Sequence, residues 1–209
     1  DRFELTYFAP MAKPGIRLGE KALEMMDTLL ARLDIRQRVG RKITAFEADG
    51  ILFEDGSRLE SDLTMFIAAG DGHAVILRSD LPRNDAGFVL ISRACEVRGF
   101  PWMYAVGDVA ALEGPEWRAK QGHLAEIMAR VAARDIRRKE KGSGAPGDYV
   151  PHVSILCVMD MGNGAALVHR NLQRAIMIPM PVFGHWLKKG WGHYYKLSKL
   201  CKIPRLPGM

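Results

Sequence analysis

Cys157 stands in the apolar run Ser154-Ile155-Leu156-Cys157-Val158-Met159-Asp160-Met161-Gly162, which reads as a buried strand ending in a turn. A thiol held in a fixed direction at a strand end, with a carboxylate and a glycine just beyond it, suits sulfur redox chemistry. It equally suits plain packing, because a free cysteine is a small hydrophobe that is commonly buried. Asp108 is a second group with a chemical use. It follows Trp102-Met103-Tyr104-Ala105-Val106-Gly107, a predicted strand running into Gly-Asp. A carboxylate beyond the carboxyl end of a strand can accept hydrogen bonds from the hydroxyls of a ribose or ribityl chain. A helix beginning near Gln121 would add free N–H groups and the positive end of its dipole. Gly-Asp is also an ordinary turn, so the pair takes its meaning from its surroundings.

The elements that must position these groups alternate in an α/β order. Phe3 to Phe8 reads as a strand, and Pro14-Gly15 punctuates it. Leu18, Ala22, Met25, Leu29 and Leu33 then recur at helical spacing. From Arg41 the period falls to two, with Ile43, Ala45, Ile51, Phe53, a turn at Asp55-Gly56, and Leu59, the pattern of a small antiparallel meander. Leu63 to Gly70 has the continuous apolar character of a strand inside a parallel sheet. Gly87 to Ile91 predicts another short strand. The helix from Gln121 to Arg138 carries Leu124, Ile127, Val131 and Ala132 on one face, and Lys139 to Asp148 is a polar, glycine-rich loop.

The 209 residues are 48% hydrophobic and 26% charged, enough for one ordinary globular domain or a large piece of one. Cys95, Cys157 and Cys201 lie far apart with no Cys/His ligand spacing, so neither a disulfide framework nor a metal site is expected. No apolar run approaches the roughly 20 residues that span a bilayer. The start, Asp1-Arg2-Phe3-Glu4, lacks a signal-peptide pattern and an initiator methionine, which predicts a fragment of a longer chain. Net charge is +6 and unevenly placed: residues 1 to 160 hold all 24 acidic groups against 22 basic ones, while eight Lys and Arg follow Asp160. A basic tail points to phosphate. No helix-turn-helix, RNP or zinc-finger pattern accompanies it, so a membrane surface is favoured over nucleic acid. Leu187, Trp191, Tyr194, Leu197 and Cys201 recur on one side of a predicted tail helix, with Lys189, Lys196 and Lys199 on another, the pattern of an interfacial helix. A helix packed on its own core or on a partner would show the same spacing.

Trp102 to Leu112 resembles the second FAD-binding motif of two-dinucleotide-domain flavoproteins. Asp55-Gly56, Asp62-Leu63 and Gly87-Phe88-Val89 are similar to the stretch preceding that motif in sulfide:quinone oxidoreductases and type II NADH dehydrogenases. Three further matches favour the sulfide enzymes. Lys120-Gln121-Gly122-His123 resembles their Lys-Thr-Gly segment, Leu156 to Gly162 resembles the segment with one of their redox cysteines, and His185-Trp186-Leu187-Lys188-Lys189-Gly190-Trp191 is similar to the helix where a lysine contacts flavin and an aromatic stacks on quinone.

The resemblance implies the C-terminal half of a sulfide:quinone oxidoreductase: an α/β, partial two-dinucleotide-binding-domain (Rossmann-like) flavoprotein fold with an amphipathic helical tail. It implies a remainder of the second dinucleotide-binding-like domain over 1–100, the C-terminal part of the FAD-binding domain over 101–180, and a membrane and quinone-site tail over 181–209. Cys157 would be the catalytic redox cysteine. Gly107, Asp108, Lys120, Gln121, Gly122 and Lys188 would hold FAD, and Leu156 and Trp191 would bind quinone. Sulfide would attack a disulfide between Cys157 and a cysteine outside this chain, and the released thiolate would reduce the flavin. The implied partners are sulfide, membrane quinone and a membrane surface, with no nucleic acid; homo-oligomerisation is compatible with this. The implied place is the surface of a prokaryotic inner membrane.

The chain departs from that family in several places. It has no GxGxxG: Gly162-Asn163-Gly164-Ala165-Ala166-Leu167 breaks the pattern at its last position. Asn163 stands where aspartate is usual, and Trp191 where phenylalanine is common. On residue type alone, Lys188 also fits a solvated charge and Trp191 a packing aromatic. Two alternatives remain: a type II NADH:quinone oxidoreductase, which needs no redox cysteine, and a non-enzymatic membrane-surface module of the same fold.

Overall fold

The computed structural model describes residues 3–160 and 164–204. These form two compact units, 1–69 and 70–209. The turn expected at Gly162-Asn163 lies outside the described residues.

In the first unit β1 (Leu5–Ala9) leads through a 3-10 turn into α1 (Glu20–Arg32), and β2 (Ile35–Val39) returns parallel to β1 with Leu5 opposite Ile35 and Ala9 opposite Val39. This β-α-β crossover follows from the helical spacing of Leu18 to Leu33. β2 itself escapes pattern analysis, because its centre, Arg36-Gln37-Arg38, is exposed and it is held as a strand by β1. β3 (Ile43–Glu47), β4 (Gly50–Phe53) and β5 (Arg58–Glu60) form the expected antiparallel meander, and Ile51 and Phe53 are buried. Gly56 closes the last turn on the Phe53 carbonyl.

The strand expected from Leu63 to Gly70 does not form. That stretch has no ladder partner among the described residues, and Leu63, Met65 and Ile67 are more than four-fifths exposed. An apolar run becomes a buried strand only where neighbouring strands satisfy its backbone. Within this stretch the Phe66 ring lies 5.0 Å from Phe46 and 6.3 Å from Phe8, and the Thr64 hydroxyl bonds to that of Ser61 at 2.7 Å.

The second unit begins with the one-turn helix α2 (Ala74–Leu77). The parallel pair β6 (Val89–Leu90) and β7 (Ala110–Ala111) follows. The strand expected over Trp102 to Val106 is reduced to one bridge, Tyr104 to Glu96, within a stretch that turns at Trp102. α3 (Gly122–Lys141) closely matches the predicted helix. It buries Leu124, Met128, Val131 and Ala132 against Val89, Ile91, Cys95, Val97, Ala110, Tyr149 and Val153, the core of this unit. At roughly 25 cal/mol per Å² of apolar surface, this contact is the main term holding α3 in place.

The chain then forms an antiparallel sheet of β8 (Ile155–Asp160), β9 (Ala165–Arg170) and β10 (Ala175–Met180), with β9 central, and ends in α4 (Phe183–Lys199). Cys157 therefore lies on an edge strand rather than a fully buried one. Ala165, Ala166 and Val168 of β9 are all buried, so both faces of the central strand are covered and the sequence shows no alternation there. α4 sits close on the sheet because Gly184 and Ser198 are small: a β-carbon on Gly184 would fall 2.4 Å from that of Ala165.

Candidate functional site

All predicted site residues belong to the second unit. Gly107-Asp108-Val109 forms a single 3-10 turn after an extended Val106. Gly107 adopts φ 69°, a left-handed conformation that glycine takes without steric cost, and a β-carbon there would crowd Ala125 of α3 at 3.2 Å. The turn is thus pressed against the first turn of α3. Asp108 is exposed, and among the described residues none donates a hydrogen bond to its carboxylate. Its backbone carbonyl accepts a bond from the Lys120 ammonium, which also lies 3.0 Å above the centre of the Phe88 ring. Burial pushes the Lys120 amine down to about 8 against the opposing pull of the Asp108 carboxylate.

α3 starts without a side-chain cap. Gln121, at the capping position, instead turns its carboxamide oxygen to the Leu156 N–H at 3.2 Å. The outward N–H of edge strand β8 is satisfied this way, and the first N–H groups of α3 lack a side-chain acceptor. Nothing lies within 4 Å of where a β-carbon on Gly122 would sit, so the helix start is open. His123 binds Ser154 Oγ at 3.1 Å, and burial lowers its imidazole pKa, countered by Glu126. The Asp108 turn, the 120–123 segment and the 154–157 stretch are thereby tied together by direct bonds.

Cys157 is a half-buried free thiol whose pKa burial raises. Side chains alternate across a strand, so Cys157 shares one face of the sheet with Ile155 and Met159, while Leu156, Val158 and Asp160 share the other. α4 packs on the second face, against Ala165, which pairs with Asp160. Lys188 reaches Asp160 at 2.9 Å. The structure therefore sets Lys188, with Leu156, on the side away from the Cys157 sulfur. Trp191 is 38% exposed on the sheet-facing side of α4, its ring 5.7 Å from Tyr194. Of the expected tail stripe, Leu187, Trp191, Leu197 and Cys201 are exposed and Tyr194 is half-buried. Among the described residues of the tail, Val182, Phe183 and Trp186 are the most exposed large apolar ones, at 68%, 78% and 71%. No described helix is long and apolar enough to cross a membrane.

Sequence reasoning missed the polar network around Asp135. This carboxylate is 1% exposed, yet it accepts bonds from Tyr104 Oη and Arg138 Nε, both at 2.8 Å. Lys139, pairing with Glu96, lies 5.0 Å over the Trp102 ring. An aspartate on an otherwise apolar helical face, with Arg three and Lys four residues later, was the available signal.

No protein-family model matches the chain, and no curated protein matches it. Solved structures do. The sulfide:quinone oxidoreductase from the hyperthermophilic bacterium Aquifex aeolicus superposes with a TM-score of 0.80 at 21% identity, over 93% of this chain and 49% of its own. The reduced CoADR-RHD of Bacillus anthracis matches with a TM-score of 0.56 at 15% identity, over 82% of this chain and 31% of its own. An NAD-dependent persulfide reductase from A. fulgidus matches with a TM-score of 0.55 at 13% identity, over 79% and 31%. The chain spans about half the length of the Aquifex enzyme. Its fold is a partial two-dinucleotide-binding-domain flavoprotein fold ending in a helical tail, similar to one half of a sulfide:quinone oxidoreductase.

Proposed function

We propose that this chain is the C-terminal half of a flavoprotein that oxidises sulfide at a cysteine and passes the electrons to membrane quinone. The observation that carries this is the placement of a half-buried free thiol, Cys157, one residue from the backbone N–H that Gln121 ties to the open start of α3.

The residues present fit FAD. Asp108 offers a carboxylate with no donor among the described residues, on a turn held by Lys120 and pressed against α3, suited to the ribityl hydroxyls. The uncapped N–H groups of α3 at Gly122 suit a ring edge that gains negative charge. FAD, when bound, would take a pair of electrons from sulfur and hand them to quinone. Lys188 would contribute positive charge near that edge after exchanging its Asp160 partner.

At Cys157, hydrosulfide attacks one sulfur of a disulfide formed with a cysteine outside this chain. The S–S bond breaks, a new S–S bond makes a persulfide, and the other cysteine leaves as a thiolate. The net change is two electrons lost by sulfide and two electrons and two protons gained by quinone. The alternation of β8 keeps these ends apart. The sulfur of Cys157 lies on one face, while Leu156 lies on the face that α4 covers, where Trp191 would stack on a quinone. The basic tail with exposed Val182, Phe183 and Trp186 would rest on the surface of a membrane, the inner membrane of a prokaryote on this reading.

The test is anaerobic addition of sulfide to the full-length flavoprotein. Bleaching of the flavin band in the native protein and none in Cys157→Ser, with FAD content retained, is the expected result. Equal bleaching in both would overturn the cysteine mechanism, and reduction by NADH but not sulfide would replace it with the NADH:quinone reading.

A further inference from the structure

The ammonium of Lys120 touches the residues that lead into two strands at once. It donates to the carbonyl of Asp108, just before β7, and it sits on the face of Phe88, just before β6. These strands pair in parallel, Val89 with Ala110 and Leu90 with Ala111. Two residues per strand make a weak ladder, so the positions of their leading ends must be set from outside. Lys120 is half-buried and lies directly before the uncapped start of α3. Asp108, by contrast, is exposed, with no described hydrogen-bond donor to its carboxylate. Its direction is set only through its backbone, and the Lys120 bond is the side-chain contact that holds this backbone.

We infer that Lys120 is a positioning residue: its ammonium, seated on the Phe88 ring, latches the carbonyl of Asp108 and so aims the Asp108 carboxylate at a polyhydroxy ligand. This rests on the FAD reading for the identity of that ligand, but the latch itself is a property of the chain. A charged donor is required, because the seat is a π face and the acceptor a carbonyl, and both favour a cation. Arginine meets both demands and methionine neither. The low amine pKa, near 8, accords with a group removed from water to make these contacts.

The experiment uses the full-length protein stripped of flavin. Backbone hydrogen exchange over residues 105–112 should quicken in Lys120→Met and stay native in Lys120→Arg, with exchange elsewhere unchanged. On reconstitution, Lys120→Met should weaken FAD binding about tenfold and Phe88→Leu about threefold, as expected for losing a charged hydrogen bond and a cation–π contact. In an Asp108→Ala background the Lys120→Met effect should shrink to less than about twofold, because Lys120 acts through Asp108. Unchanged exchange at 105–112 in Lys120→Met overturns the latch. A full Lys120→Met penalty on FAD in the Asp108→Ala background overturns the positioning role. If Asp108→Ala leaves FAD binding intact, the FAD reading of the turn fails instead, and the exchange data still decide the latch.

Discussion

The Leu156 N–H donates to the side-chain oxygen of Gln121 at 3.2 Å, joining the edge strand that carries Cys157 to the first residue before α3. The residue at the capping position of α3 thus fixes a strand from elsewhere in the sequence, and α3 starts without a side-chain cap. The gain is a helix N-terminus left open beside a thiol-bearing strand.

Replacing Gln121 by leucine removes that bond and leaves the edge N–H to water. Stability should fall by about 1 kcal/mol. Exchange at the Leu156 amide should rise more than at neighbouring β8 amides. Both can be read from urea melts and amide exchange, and an unchanged Leu156 amide would contradict the link.

The three cysteines should differ in alkylation after reduction of the protein. Cys201 is exposed, Cys157 is half-buried with its pKa raised by burial, and Cys95 is fully buried with its thiol pushed up to about 12, first by burial and then by Asp135 and Asp148. At pH 8 the expected order of reaction with iodoacetamide is Cys201, then Cys157, then Cys95, followed by mass spectrometry. The raised pKa of Cys95 also has a stability consequence. Its contribution is full below the unfolded thiol value of 9.0 and is lost as pH climbs toward about 12. Cys95→Ala should flatten the fall in thermal stability over that window.

Asp135 is a buried carboxylate. Burial pushes its pKa up, but the bonds from Arg138 and Tyr104 and the nearby Lys139 charge outweigh this and hold it below the ordinary value. A depressed carboxylate stabilises the fold above its unfolded pKa and loses that contribution as pH falls through the folded one. Asp135→Ala should cost about 2 kcal/mol at pH 7, because it removes the bonds that the half-buried Arg138 guanidinium and the Tyr104 hydroxyl make to this carboxylate. The difference from the native protein should narrow in denaturant melts taken at pH values well below 3.8, the ordinary carboxylate value.

Gly184 allows α4 to approach β9 with only the Ala165 methyl between them. Gly184→Leu should lift the start of α4 off the sheet and expose the tail to protease. On the proposed function, quinone reduction should fall at least about tenfold while sulfide still bleaches the flavin, because only the α4 side of β8 is disturbed. Loss of both half-reactions together would argue against the two-sided arrangement.

Removing residues from Pro181 onward in the full-length protein takes away Val182, Phe183, Trp186 and six of the eight basic residues that follow Asp160. The truncated protein should no longer sediment with anionic vesicles, whereas the native one should. Unchanged sedimentation would place the membrane contact elsewhere.

Local patterns in the sequence were enough to identify α1, the β3–β5 meander, the Gly107-Asp108 turn, α3 and α4. Each is made by contacts close along the chain: helical spacing, period-two alternation, a turn glycine. Cys157 and Asp108 could also be singled out from their immediate neighbours. The tertiary structure decided what long-range partners supply. β2 is a strand because β1 pairs with it, and Leu63 to Gly70 is not one because no strand does. β9 shows no alternation because both its faces are covered. That Gln121 serves Leu156 and Lys120 serves Asp108 depends on side chains meeting backbone groups 35 and 12 residues away in sequence. Which face of β8 the Cys157 sulfur occupies was fixed only when α4 packed on the other, since strand alternation separates two faces without naming either.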